Sequence, residues 1–131
     1  MKAPPRSQRV DWAVVALLTL ALGLRLVYVL KVAPGAVHSD QEDYLEAARR
    51  LLDGRAMAFR NYHLFVRPPG FSLFIALVWK LTAGRSIMAV KLAQAVVGTA
   101  TCWYVGQLTT RLTPQRWARL IALAGAAVYP Y

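Results

Sequence analysis

Acidic residues are scarce in this chain: six Asp and Glu stand against sixteen Lys and Arg in 131 residues, for a net charge of +10. Five of the six acids share one short window, HSDQEDYLEAARRLLDG, as Asp40, Glu42, Asp43, Glu46 and Asp53. Cysteine is nearly absent as well. Cys102 stands alone inside an apolar block, which excludes an internal disulfide and leaves the redox compartment unread. Its plain reading is a small packing residue. Histidine occurs only at His38 and His63, and no internal repeat or low-complexity tract is present. A pI near 10.5 often signals nucleic acid. Here the Lys and Arg residues flank apolar blocks and form no stripe, so nucleic acid is set aside. Cytoplasmic anchoring and contact with anionic lipid or phosphate headgroups suit that placement.

What the chain has in quantity is apolar sequence, 57% of residues with a mean hydropathy of +0.38, and it falls in long blocks. That points to an all-α membrane protein. Trp12 to Leu30 is 19 residues, WAVVALLTLALGLRLVYVL, which as a helix rises roughly 28 Å. A first transmembrane helix is therefore expected over residues 12–31. Trp12 and Tyr28 sit where interfacial aromatics sit. The apolar run is too long for a signal-peptide core and has no clear cleavage site, so it reads as uncleaved. Lys2, Arg6 and Arg9 precede it and place residues 1–11 in the cytoplasm. Arg25 is the one charge inside. It either snorkels to the outer interface or faces a protein cavity where it meets an anion.

Ala33-Pro34-Gly35 ends that helix. Ser39-x-x-Glu42 reads as a capping box opening a short amphipathic helix near 40–53. Tyr44, Ala47, Ala48, Leu51 and Leu52 form its apolar face, and Gly54 is its natural C-cap. The helix is too polar to span and suits a membrane surface. Pro68-Pro69 starts a second helix near 70–82, whose thirteen residues reach only about 20 Å and so lie at the interface. Residues 87–108 read as a second span, with Gly98, Cys102 and Gly106 as a close-packing face. A basic cytoplasmic turn over 109–116 holds Arg111 and Arg116, with Arg119 just beyond. A third span begins at 117 and runs to 131, with Ala118, Ala122 and Ala126 as its small face. About three spans with an external loop over 32–86 keep Arg111, Arg116 and Arg119 cytoplasmic, as the positive-inside rule favours, although that loop itself holds seven Lys and Arg. If residues 70–82 cross as well, there are four.

Most of the acidic window has a plain explanation. Acids at a helix start complement its dipole and keep the polar face wet. Glu46 can pair with Arg49 or Arg50 at helical spacing. Asp40 is different, because it stands where the chain enters the helix. A carboxylate there can act as a general base toward an acceptor hydroxyl or amine, with nearby arginines holding a phosphate.

The order of these elements resembles a known family. A first span leads to Asp40-x-x-x-Tyr44-x-x-x-Ala48, then Leu51-Leu52 and Gly54. RPPGFSLFIALVWKL follows, then AVKLAQAVVGT, a basic turn, and a last apolar stretch ending near Tyr-Pro. This is similar to the N-terminal part of GT-C membrane glycosyltransferases, most of all the bacterial branch related to protein O-mannosyltransferases and lipid A aminoarabinose transferases. The resemblance runs from about residue 10 to the end.

It implies transfer of a sugar from a polyprenyl-phosphate donor to an acceptor protein, lipid or glycan on the periplasmic or external side of a bacterial inner membrane. Asp40 would be the base or acceptor-orienting group, with Asp43 as its rival. Arg67 would contact the donor phosphate, with weaker claims for Arg25, Arg60, Tyr44 and His63. His38 reads as a loop residue. No metal ligand set is visible, and a divalent metal requirement is unread. The family's second acid lies in a later external loop, so this chain is expected to be inactive alone and to depend on the remaining spans of a longer product. The rival expectation is a small non-enzymatic membrane protein that packs against partner helices.

Overall fold

The computed structural model describes residues 11–32, 39–56 and 68–129, and of Val32, Ser39 and Asp40 the backbone only. The described residues are helical, with no strand among them. α1 spans Trp12–Val27 and continues as a π-helical turn, Tyr28–Val32. α2 is Ser39–Leu52, α3 Gly70–Leu81, α4 Ile87–Leu112 and α5 Arg116–Val128. α4 runs four residues beyond the expected 108. Thr109 and Thr110 turn their hydroxyls back onto the carbonyls of Val105 and Gln107, so these polar side chains are satisfied within the helix itself. Pro114 then disfavours a helical Thr113, so the basic turn shrinks to the residues between Leu112 and Arg116. Arg111 and Arg116 are consequently helical and not loop residues.

Of the described residues, one stretch is long and apolar enough to cross a membrane: Trp12–Lys31, 20 residues with a mean hydropathy of 2.3. α4 has the length, 26 residues, but Lys91, Gln94, Gln107 and its threonines dilute it. α5 has 13 residues and rises only about 20 Å. The expected all-helical class is therefore observed, and the first span has the length and hydropathy to cross.

The chain divides into two compact units, Met1–Arg25 with Val96–Tyr131, and Leu26–Ala95. In the first, Val14, Ala21, Cys102, Leu123 and Ala127 form a buried core, closed by Leu17, Leu18 and Leu120. Gly106 meets Leu123 so closely that an added Cβ would lie 2.9 Å from its Cγ. Close helix approach at the small-residue face thus has a specific partner. Asp11, the acid outside the acidic window, caps α1 by accepting from the Ala13 amide at 3.2 Å. It also takes a two-pronged bond from Arg116, at 2.9 and 3.1 Å. That guanidinium holds the Asp11 carboxyl below its ordinary value of 3.8.

In the second unit, α2 packs along α3. Leu45 and Ala48 join Ile75, Ala76, Val78, Trp79 and Val90 in one core, with Tyr44, Leu51 and Phe71 against it. Both helices end in the same way. Gly54, at φ +70°, follows α2, while the Gly54 and Arg55 amides donate to Leu51 and Arg50 carbonyls. After α3 the left-handed position is taken by Ala83, at φ 50°, and the Gly84 amide reaches the Trp79 carbonyl. The buried Trp79 indole donates to the Ser86 carbonyl at 3.0 Å. The Ser72 hydroxyl is buried with no hydrogen-bond partner.

Candidate functional site

The opening of α2 is where the sequence places chemistry. Asp40 is the second residue of α2, so its backbone lies in the first turn of a 14-residue helix. Its side chain lies outside the described residues, as do His38, Arg60, His63 and Arg67 in full. Of the remaining candidates, Asp43 is half-exposed one turn on. Tyr44 is committed to packing: its ring meets Phe71 edge-on, with centroids 5.2 Å apart and planes at 80°. Phe71 in turn stacks on Phe74 at 6.2 Å. This aromatic run holds the first turns of α2 against the first turns of α3. Further along α2, Glu46 accepts from Arg50 at 3.1 Å and forms an ion pair with Arg49 at 3.6 Å. Asp53 pairs with Arg85. These exposed pairs tie up two of the five clustered acids and contribute little stability, about 0–1 kcal/mol each.

Beside the opening of α2 lies a small cavity of about 60 Å³. Leu45, Phe71, Ile75, Ile87 and Val90 give it apolar walls, and Gln41, Lys91 and Gln94 add an ammonium and two amides. Lys91 is thereby brought next to the turn that carries Asp40. Nothing in the sequence pattern singles out Lys91 or either glutamine as part of a site. The single available signal was the helical spacing of Lys91 and Gln94 on α4.

Arg25 has a different and well-defined task in the other unit. It does not snorkel outward: the residue is 9% exposed. Nη1 donates to the Ala21 carbonyl at 3.0 Å and to Ala127 at 3.3 Å, and Nη2 donates to Ala126 at 3.2 Å. Ala126 and Ala127 belong to the last turn of α5, where carbonyls have no partner inside the helix. A cation at that end also meets the negative pole of the helix dipole. Cys102 joins the cluster, its thiol donating to the Ala126 carbonyl at 3.3 Å. Arg25 and Cys102 then line a mostly apolar groove of about 570 Å³ with Gly98, Thr101, Val105, Ala122, Gly125, Ala126 and Tyr129. The structure therefore places Arg25 as a clamp on the end of α5, in a different unit from Asp43 and Tyr44.

Among the described residues, no group of three or more His, Cys, Asp or Glu side chains could hold a metal ion. Comparison with family models, with characterised proteins and with solved structures finds no match to this chain.

Proposed function

We propose that this chain is the N-terminal segment of a membrane glycosyltransferase that uses a polyprenyl-phosphate sugar donor. In this reading α1 and α4 cross a bacterial inner membrane, α5 is the start of a third span, the N-terminus is cytoplasmic, and α2 and α3 belong to the periplasmic loop. Asp40 orients or deprotonates the acceptor, with Asp43 as the alternative base, and Arg67 holds the donor phosphate. The observation that carries the proposal is the order of elements. A membrane-length helix is followed by a short helix opening at Ser39-Asp40, and then by an apolar helix opening straight after Pro68-Pro69. Packing of α2 on α3 supports it, since it fixes the opening of α2 on a rigid base, as a positioned carboxylate requires. Many large apolar side chains of α1, α4 and α5 point outward, among them Leu20, Leu24, Val97, Leu108 and Ile121, which suits a lipid surround.

The test is sugar transfer from a polyprenyl-phosphate donor by the gene product in its complete reading frame. Arg67→Ala is expected to weaken donor binding chiefly, raising KM more than it lowers kcat. Unchanged donor affinity in Arg67→Ala removes that residue from the site.

One observation favours a second reading, a non-enzymatic membrane protein that packs with partner helices. The groove between α4 and α5 is lined largely by small residues, Gly98, Ala122, Gly125 and Ala126, which permit close approach of another helix. Transfer activity in the complete product separates the two.

A further inference from the structure

The cavity beside the opening of α2 has no part in the roles given to Asp40, Asp43 and Arg67. Three helices of one unit wall it, with Gln41 from α2, Phe71 and Ile75 from α3, and Lys91 and Gln94 from α4. Gln41 is exposed while Lys91 and Gln94 are half-buried, so the polar wall runs from the surface inward. At about 60 Å³ the cavity has roughly the volume share of two waters, whereas clefts for a whole small molecule begin at about 300 Å³. The space therefore suits one substituent of a larger ligand. The charge of its walls is one-sided. Lys91 supplies an ammonium, Gln41 and Gln94 supply amides that donate or accept, and no carboxylate is among the described residues that wall it. At 100° per residue, Asp43 lies about 160° around α2 from both Gln41 and Leu45, on the side away from the cavity, and Glu42 is exposed.

We infer that this cavity is the specificity subsite for the transferred sugar, taking a hydroxyl or carboxylate oxygen and rejecting a protonated amine. The inference rests on the glycosyltransferase reading and deepens it. With Asp40 orienting the acceptor, the reacting carbon of the sugar comes within about 3–3.5 Å of the acceptor atom. Gln41 is the next residue in the chain, so a ring held there has its substituents at the mouth of the cavity. An entering hydroxyl or carboxylate oxygen accepts a charge-assisted bond from the Lys91 ammonium and a further bond from either amide. An entering ammonium gains amide oxygens only and meets a like charge. Phe71 and Ile75 keep the wall partly dry, where that repulsion is stronger than in water. The sugar transferred is thereby a neutral or acidic one, and amino sugars are poor donors. A lysine that merely snorkels from the start of α4 leaves the choice of sugar untouched.

The experiment uses the complete gene product in membranes and lets two donors compete in one reaction. One is a polyprenyl-phosphate hexose. The other is its counterpart with one hydroxyl replaced by an amine, the amine position being varied across a set. The pH is held at about 6, where such amines are protonated. The product ratio reports the ratio of kcat/KM values and is independent of how much protein is folded. The parent is expected to prefer the hexose by about tenfold or more at one amine position at least. Lys91→Gln is expected to bring that ratio toward one and Lys91→Arg to keep it. Gln94→Glu, which leaves Lys91 in place, is expected to lower the ratio by adding a carboxylate. Equal use of both donors by the parent at every amine position overturns the inference. So does an unchanged ratio in Lys91→Gln or, should that variant be absent from the membrane, an unchanged ratio in Gln94→Glu. Transfer from neither donor by the parent overturns the glycosyltransferase reading and the subsite with it, whereas transfer without discrimination overturns the subsite alone.

Discussion

Ala83 occupies a backbone conformation that glycine would take more easily. At φ 50° its Cβ costs on the order of 1–2 kcal/mol, and the equivalent position after α2 is already a glycine, Gly54. Ala83→Gly is therefore expected to stabilise the α2–α3 unit by about 1 kcal/mol, seen as a higher midpoint in thermal or denaturant unfolding. Asp11 is the other residue with a local consequence. Its carboxyl titrates below its ordinary value because Arg116 favours the charged form. The stability contributed by the pair is thus present above pH 3.8 and is lost as pH falls through the lowered folded value. Unfolding monitored from pH 6 to 2 should show this loss in the parent and a smaller one in Asp11→Asn. Because the pair is exposed, high salt should shrink the difference. Neither residue was legible beforehand. Ala83 carries no sequence mark of a left-handed turn, and the partner of Asp11 lies on a distant helix.

At the scale of the elements, punctuation did most of the work. Gly54 closed α2, Pro68-Pro69 opened α3, and the Glu46 pairs followed helical spacing, so the helices at 40–53 and 70–82 are found as Ser39–Leu52 and Gly70–Leu81. The spacing of Gly98, Cys102 and Gly106 marks Gly106 as a packing residue, and its close contact with Leu123 bears this out. Leu123 is itself nearly fully buried, so it cannot yield, and Gly106→Val is expected to be destabilising by about 1–3 kcal/mol through overpacking. A lower unfolding midpoint in detergent checks it. What the pattern did not show is where each apolar face goes. The apolar residues of α2 suited lipid as well as protein, and only the packing reveals that α3 uses them. Arg25 illustrates the same limit: a lone charge in an apolar helix gives no sign that its acceptors are carbonyls of α5. Arg25→Met should leave those carbonyls without their donors and cost on the order of 1–3 kcal/mol, read as a drop in the same midpoint. An equal midpoint would make the clamp energetically neutral.

For the whole molecule, the sequence made the helical class visible through its long apolar blocks, and it made one membrane-length helix visible through Trp12–Lys31. The candidate site was legible only as a place, the opening of α2. Lys91, Gln41 and Gln94 gather beside it through packing of three elements that no local pattern connects. The functional account then depends on one carboxylate. If Asp40 is the base, Asp40→Asn in the complete gene product should lower sugar transfer by about 10²–10⁴-fold, with membrane insertion and donor binding retained. The decisive measurement is the rate of transfer from a polyprenyl-phosphate sugar in membranes carrying Asp40→Asn, beside the parent and Asp43→Asn. Loss of transfer in Asp40→Asn with near-parental transfer in Asp43→Asn is the predicted result. Parental turnover in Asp40→Asn would contradict it.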